Sequence, residues 1–238
     1  MLKAINLTKS YQNQIALAGL SLEVLPGEMV CLLGRAGCGK TTAIDLFLGL
    51  KNPSSGVANV DGVSAARLME RTRSAVAYVP PEFALYPELT AKENLDFLVG
   101  ASQLDPLTDR QVADLLVEFG LNPSVLSTPA ANLTVGQKQR LGLAVGVARD
   151  ARAFLLDDPT GQLDADEAMD LASLIRRLAA GEVGGQKAAV LLTTSNPDVA
   201  WGAARVALLE KGRVKAVLDS AALSDAEMVA RCVAHVQA

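Results

Sequence analysis

Leu32-Leu33-Gly34-Arg35-Ala36-Gly37-Cys38-Gly39-Lys40-Thr41-Thr42 is the stretch on which the reading of this chain turns. An apolar run, Met29–Leu33, passes into glycines at positions 34, 37 and 39 and then into Lys40 and Thr41. Glycines so placed let the main chain bend around an anion with its N–H groups turned inward, a lysine there reaches terminal phosphates, and a threonine hydroxyl can ligate Mg²⁺. Downstream, Ile44, Phe47 and Leu48 recur at helical spacing between Thr41 and Leu50, so strand, loop and helix follow in the order that a phosphate cradle requires. Gly34, Arg35, Ala36, Gly37, Cys38, Gly39, Lys40, Thr41 and Thr42 are therefore the candidate nucleotide-binding residues.

Upstream of this stretch, Ala4–Leu7 and Ile15–Val24 read as strands, and Pro26-Gly27 makes a turn into Met29. Residues 89–127 are helical in pattern (Leu95, Leu98 and Val99, then Val112, Leu115, Leu116 and Phe119) and read as an inserted lobe. After Gln137, helices alternate with the apolar runs Ala153–Leu156 and Ala188–Leu192, which resemble buried parallel strands. A ribbon, Arg205–Glu210 and Arg213–Val217 about Lys211-Gly212, precedes a final helix near Asp225–Val236.

Composition narrows the function classes. With 238 residues, 50% hydrophobic and 20% charged, the chain is long enough to bury a core and too apolar for extended disorder. A net charge of −4, scattered Lys and Arg, and only five Phe, three Tyr and one Trp argue against a nucleic-acid partner. No apolar run approaches the roughly 18 residues that span a bilayer, so the chain is expected not to cross a membrane by itself. Cys31, Cys38 and Cys232 are odd in number and far apart, which fits neither a disulfide framework nor a zinc site and suggests a reducing cytoplasm. Cys38 stands at a helix N-terminus, where the dipole is expected to lower its thiol pKa; a structural role is favoured over a redox one.

Three further signals follow the Gly-rich loop in order: Asn132-Leu133-Thr134-Val135-Gly136-Gln137-Lys138-Gln139-Arg140, Phe154-Leu155-Leu156-Asp157-Asp158-Pro159-Thr160, and Leu163-Asp164. Together the four resemble the ATP-binding subunits of ABC transporters, over nearly the whole chain. The segment from Leu85 to Leu95 looks most like subunits serving drug, lipid or polysaccharide exporters. The resemblance implies an α/β fold: a P-loop NTPase core with a mostly parallel sheet, an N-terminal antiparallel β-subdomain and an inserted α-helical subdomain. It implies one ATP-binding domain over residues 1–238, with core and β-subdomain at about 1–88 and 137–238 and helical subdomain at about 89–136. ATP and Mg²⁺ are the implied ligands, with Tyr11 stacking on adenine and with Thr41 and Asp157 on the metal. Thr134, Gly136 and Gln137 would face the γ-phosphate bound to an opposite subunit. The implied partners are transmembrane transporter subunits and a second ATP-binding subunit, as homodimer or heterodimer. Through them the chain would lie peripherally on the inner face of the cell membrane.

The chain also departs from the pattern it resembles. Asp158 stands where a Glu handles the attacking water, and its carboxylate arm is one methylene shorter; a displacement of about 1 Å in such a group costs on the order of a hundredfold in rate. Pro81 replaces a Gln and brings no side-chain oxygen, leaving Glu82 either as a substitute ligand or as a solvated loop carboxylate. Ser195 replaces a switch histidine, and the chain's single histidine, His235, reads as a residue of the last helix. Val135 stands where a glycine is usual and disfavours positive φ, and Gly161-Gln162 replaces a more common Ser-Gly. Asp158 and Ser195 are thus altered catalytic candidates. Two readings follow: an ATPase subunit with slow hydrolysis, or a regulatory, non-hydrolysing subunit paired with a competent one. A soluble relative acting on ribosomes or DNA would need a second nucleotide domain or a coiled-coil insertion, for which the chain has no room.

Overall fold

A computed structural model describes residues 1–67, 76–100 and 107–237. The chain begins with β1 (Leu2–Tyr11) and β2 (Gln14–Val24), paired antiparallel from Leu2 opposite Val24 to Tyr11 opposite Gln14. β4 (Ser55–Val60) pairs with the other edge of β1, and β5 (Val63–Ser64) completes a four-stranded antiparallel sheet in the order β2-β1-β4-β5.

The second sheet holds the chemistry. It comprises β3 (Met29–Leu33), β6 (Val76–Val79), β7 (Ala153–Asp157), β8 (Ala189–Thr194), β9 (Arg205–Glu210) and β10 (Arg213–Asp219), in the order β10-β9-β3-β8-β7-β6. All neighbours run parallel except the β9–β10 ribbon. Every residue of β3, β7 and β8 is buried, as expected of parallel strands covered on both faces. The pleat divides them: Cys31, Leu33, Phe154, Leu156, Val190 and Leu192 face a core shared with most of the helices. Val30, Leu32, Leu155 and Leu191 face a second core with Ile44 and Phe47 of α1 (Lys40–Phe47) and with Leu2, Leu7 and Leu20 of the antiparallel sheet.

The helical lobe contains α2 (Ala91–Gly100) and α3 (Asp109–Glu118), the latter started by a capping box between Thr108 and Gln111. Residues 101–106, within the stretch expected to be helical, lie outside the described residues. The expected boundary at 136/137 falls inside one helix, α4 (Val135–Ala148), which packs on both α2 and β6 and so ties lobe to core. α5 (Ala165–Ala180), the short α6 (Pro197–Ala200) and α7 (Asp225–Gln237) complete the layer over the sheet. No helix among the described residues is long and apolar enough to cross a membrane.

Strands β3 and β9 match their expected bounds; β1, β2, β7 and β10 run one to a few residues longer at one or both ends, and β8 begins one residue later and ends two residues later than expected. β4, β5 and β6 were not foreseen. Three of the six β4 positions are exposed and Gly56 has φ 77°, so the strand shows little apolar alternation.

Candidate nucleotide-binding site

Parallel pairing sets Leu33 beside Thr194 and Asp157 beside Thr193, so the C-terminal ends of β3, β8 and β7 deliver their side chains to one sheet edge. The Gly-rich loop leaves β3 at that edge. Gly34 N donates to Thr194 O at 3.2 Å, and Cys38 N donates to Arg35 O at 3.3 Å, which closes the loop on itself. Two glycines are required by space. A Cβ on Gly34 would stand 2.3 Å from Leu209 O, and one on Gly39, at φ 112°, would stand 2.3 Å from Ala16 O. Gly37, at φ 76°, faces open space.

The loop ends as α1 begins, and no side chain caps that helix N-terminus. Its first amides and its dipole are therefore directed at whatever lies in the loop, the arrangement that favours a phosphate. The buried Lys40 ammonium donates to Gly34 O and, at 3.0 Å, to Arg35 O, which holds it against the loop. An open cleft of about 320 Å³ lies over these groups. It is lined by Ala16, by the loop and helix residues Ala36, Gly37, Gly39, Lys40, Thr41 and Thr42, and by Pro81, Asp157, Asp158 and Ser195.

One threonine holds both aspartates. Thr193 Oγ1 donates to Asp157 Oδ1 at 2.6 Å and accepts the Asp158 N–H at 3.1 Å. One residue on, Thr194 Oγ1 accepts the Asn196 N–H at 3.0 Å. Asp157 is buried, whereas Asp158 is half-buried with φ 47°, a conformation that Asp tolerates better than most residues. Burial pushes the Asp158 carboxyl above its ordinary value; Thr194 and the Lys40 charge oppose that shift, and Asp157 adds to it.

This donor set fits a magnesium nucleotide. Thr41 and Asp157 bring hard oxygens to one cleft, while no group of three or more His, Cys, Asp or Glu suited to a metal occurs among the described residues. A cation there needs phosphate oxygens or water to complete its shell, which is the habit of Mg²⁺.

Other sequence candidates lie around the cleft. Ser195 is exposed at its rim. His235 lies on α7, with Nε2 3.1 Å from Leu209 O, in a second hollow with Arg35, Cys38 and Lys211. Burial raises the Cys38 thiol pKa and outweighs the lowering by Lys40, which corrects the expectation of a more acidic thiol. All three cysteines are free and buried. Tyr11 is 40% exposed at the end of β1 and outside the cleft lining, with Lys9 Nζ 5.1 Å and Lys51 Nζ 5.5 Å from its ring centroid. Glu82 is exposed and also outside the lining.

Thr134, Gly136 and Gln137 line a separate hollow with Arg140, Leu163 and Glu167. Thr134 caps α4: its Oγ1 accepts Gln137 N at 3.1 Å, while Gln137 Oε1 accepts Thr134 N at 3.0 Å. Val135 is the first helical residue, and neither it nor Gly136 has a positive φ. The expected backbone strain at Val135 is thus absent; what the substitution adds is side-chain bulk.

Sequence reasoning missed four neighbours of the cleft. Thr193 and Thr194 resemble ordinary β-branched strand residues, and Ala16 enters only because β2 passes Gly39. Gln139 is buried and donates to Pro80 O at 3.0 Å and Pro81 O at 2.9 Å, fastening α4 to the Pro-Pro turn. Its place in the Gln137-Lys138-Gln139 run gave no sign of that contact.

Comparison with known proteins agrees with this geometry. Residues 17–161 match the family model described as ABC transporter. The chain is 32% identical over 225 residues to the lipoprotein-releasing system ATP-binding protein LolD of Pseudomonas syringae pv. tomato, covering 90% of this chain and 96% of that protein. It is also 32% identical over 213 residues to the sulfate/thiosulfate import ATP-binding protein CysA of Gloeobacter violaceus, covering 89% of this chain but only 60% of CysA. Equal identity to an import and a release protein gives no direction of transport. Among solved structures, the dimeric bacterial ABC transporter cassette MJ0796 aligns with TM-score 0.79 and 25% identity over 92% of this chain and 98% of that one. The same cassette is described in a post-hydrolysis state bound to ADP and Pi. With the loop, the paired aspartates and the helical lobe in place, the chain belongs to the ABC transporter family as one of its ATP-binding subunits.

Proposed function

We propose that this chain binds Mg-ATP in the loop cleft, hydrolyses it slowly, and couples that cycle to transport by separate membrane-spanning subunits. One observation carries the reading: an uncapped helix N-terminus, Lys40 and two threonine-anchored aspartates meet at one sheet edge. The amides of Gly37 to Thr42 and the Lys40 ammonium bind the phosphates. Thr41 and Asp157 are the oxygens that would hold Mg²⁺, which supplies charge neutralisation on the phosphate oxygens. Asp158 accepts a proton from the attacking water as the water oxygen bonds to the γ-phosphorus; the bond from that phosphorus to the bridging oxygen breaks, and ADP leaves. Tyr11 offers an exposed ring for adenine.

Slow turnover follows from the same geometry. Asp158 has a short arm, Ser195 brings no imidazole, and His235 lies outside the cleft lining with Nε2 against Leu209 O. Phosphate release measured with and without Asp158→Asn tests this: a low rate abolished by the substitution supports it, and a fast rate or one indifferent to it opposes it.

Transport requires a pair of such subunits and a membrane partner. LolD and CysA are named for release and import systems, and MJ0796 is described as dimeric. By analogy, Thr134, Gly136 and Gln137 would meet the nucleotide of a second subunit, in a homodimer or a heterodimer. Tyr86 and Phe97 form an exposed edge-to-face pair, centroids 5.0 Å apart, on the helical subdomain of about residues 89–136 and the turn before it; this is apolar surface suited to a membrane subunit. The chain would then sit on the inner face of the cell membrane. The regulatory reading gains from Val135, whose bulk lies where a partner's nucleotide would dock. Light scattering of Asp158→Asn with Mg-ATP, alone and with a candidate second subunit, separates the two assemblies.

A further inference from the structure

Two of the sequence departures, Asp158 and Gly161, lie against each other. A Cβ built on Gly161 would stand 2.6 Å from Asp158 Oδ2 and 3.0 Å from its Cγ, so the carboxylate lies against the bare Cα of residue 161. Gly161 does not have a positive φ, so its backbone is open to any L-residue and only the carboxylate excludes a side chain there. The tight turn fixes the spacing: Gly161 N donates to Asp158 O at 3.1 Å, and Asp158 N donates to Thr193 O at 3.0 Å.

We propose that Gly161 is a positioning residue for Asp158, leaving the space that sets the direction of its short carboxylate at the wall of the nucleotide cleft. The inference rests on the reading of Asp158 as the group that receives the water's proton. Gly161 leaves the volume in which the carboxylate lies. A methyl group at 161 must push the carboxylate off that seat, because the approach is closer than side-chain carbons make. The altered arm length and the missing side chain at 161 then act as a matched pair.

The test uses the full chain and measures kcat, KM and Mg-ATP dissociation constant for the wild type, Gly161→Ala, Asp158→Asn and Gly161→Ala/Asp158→Asn. The expected result is a fall in kcat of about tenfold or more for Gly161→Ala, with KM and nucleotide affinity within about twofold of wild type. In the Asp158→Asn background the alanine has no further effect. Thermal melts check folding, and Gly161 is exposed, so its alanine variant is expected to melt near wild type. An unchanged kcat in Gly161→Ala, or an equal fall in both backgrounds, overturns the inference. If the wild type shows no turnover, the hydrolytic reading itself fails, and crystal structures of the wild type and Gly161→Ala decide the positioning claim. An Asp158 carboxylate displaced in Gly161→Ala supports it; one that keeps its wild-type position overturns it.

Discussion

Thr193 Oγ1 donates to Asp157 Oδ1 over 2.6 Å, and the same oxygen accepts the Asp158 N–H at 3.1 Å. One hydroxyl thus orients the proposed metal carboxylate and fixes the backbone that carries the proposed catalytic one. Groups that orient metal ligands commonly matter about ten- to a hundredfold to metal affinity. Thr193→Val is therefore expected to raise the Mg²⁺ concentration needed for half-maximal nucleotide binding by about tenfold, while binding without Mg²⁺ stays near wild type. A magnesium titration of fluorescent-nucleotide binding reads both quantities.

Gly39 and Gly136 are expected to respond oppositely to alanine. At Gly39 the new methyl meets Ala16 O at 2.3 Å with φ 112°, and the loop must move. At Gly136 the nearest atoms are 3.7 Å away and the residue is helical, so alanine fits and removes unfolded-state freedom. Gly39→Ala should lower nucleotide affinity at least tenfold and destabilise by about 1–3 kcal/mol. Gly136→Ala should stabilise by about 0.4–1 kcal/mol. Denaturant melts and nucleotide titrations distinguish the two.

Asp158 links stability to pH. Its raised carboxyl pKa means that the folded chain holds the proton more tightly than the unfolded chain does. Ionisation therefore opposes folding as pH rises from the ordinary Asp range through the raised value, and the penalty persists at neutral pH. Asp158→Asn should raise the Tm at pH 7, and the gain should vanish below the ordinary Asp range. Melting curves from pH 3.5 to 8 check the sign.

Glu28 gives the reverse case. Arg205 Nε donates to Glu28 Oε1 at 2.6 Å and Nη2 donates to Oε2 at 2.9 Å, joining β9 to the turn before β3. Burial alone would raise the Glu28 pKa, yet the bonds from Arg205 and the Leu25 N–H bring it below the ordinary value. The stabilisation is complete above the ordinary Glu range and is lost as pH falls through the lowered value. Glu28→Gln should cost about 1.5–3 kcal/mol at pH 7 and much less once Glu28 protonates.

The sequence made the parallel core legible because its strands are apolar end to end and one of them, Met29–Leu33, runs into an unmistakable loop. The same logic failed for Ser55–Val60, whose exposed positions and Gly56 hide the alternation, and whose partner β1 pairs through irregular register. In the cleft, residues whose chemistry lies in their type, such as Lys40, Thr41 and Asp157, could be named in advance. Thr193, Thr194 and Gln139 could not, since each matters through a contact far along the chain. Val135 shows the opposite error: a glycine's absence suggested strained backbone, yet the residue simply opens a helix.

Calorimetric titration of Mg-ATP into the full chain and into Lys40→Ala tests the account most directly. Saturable uptake at one site per chain, weakened at least tenfold by the substitution, is the predicted result. No detectable uptake, or equal affinity in both proteins, would contradict the assignment of the loop cleft as the nucleotide site.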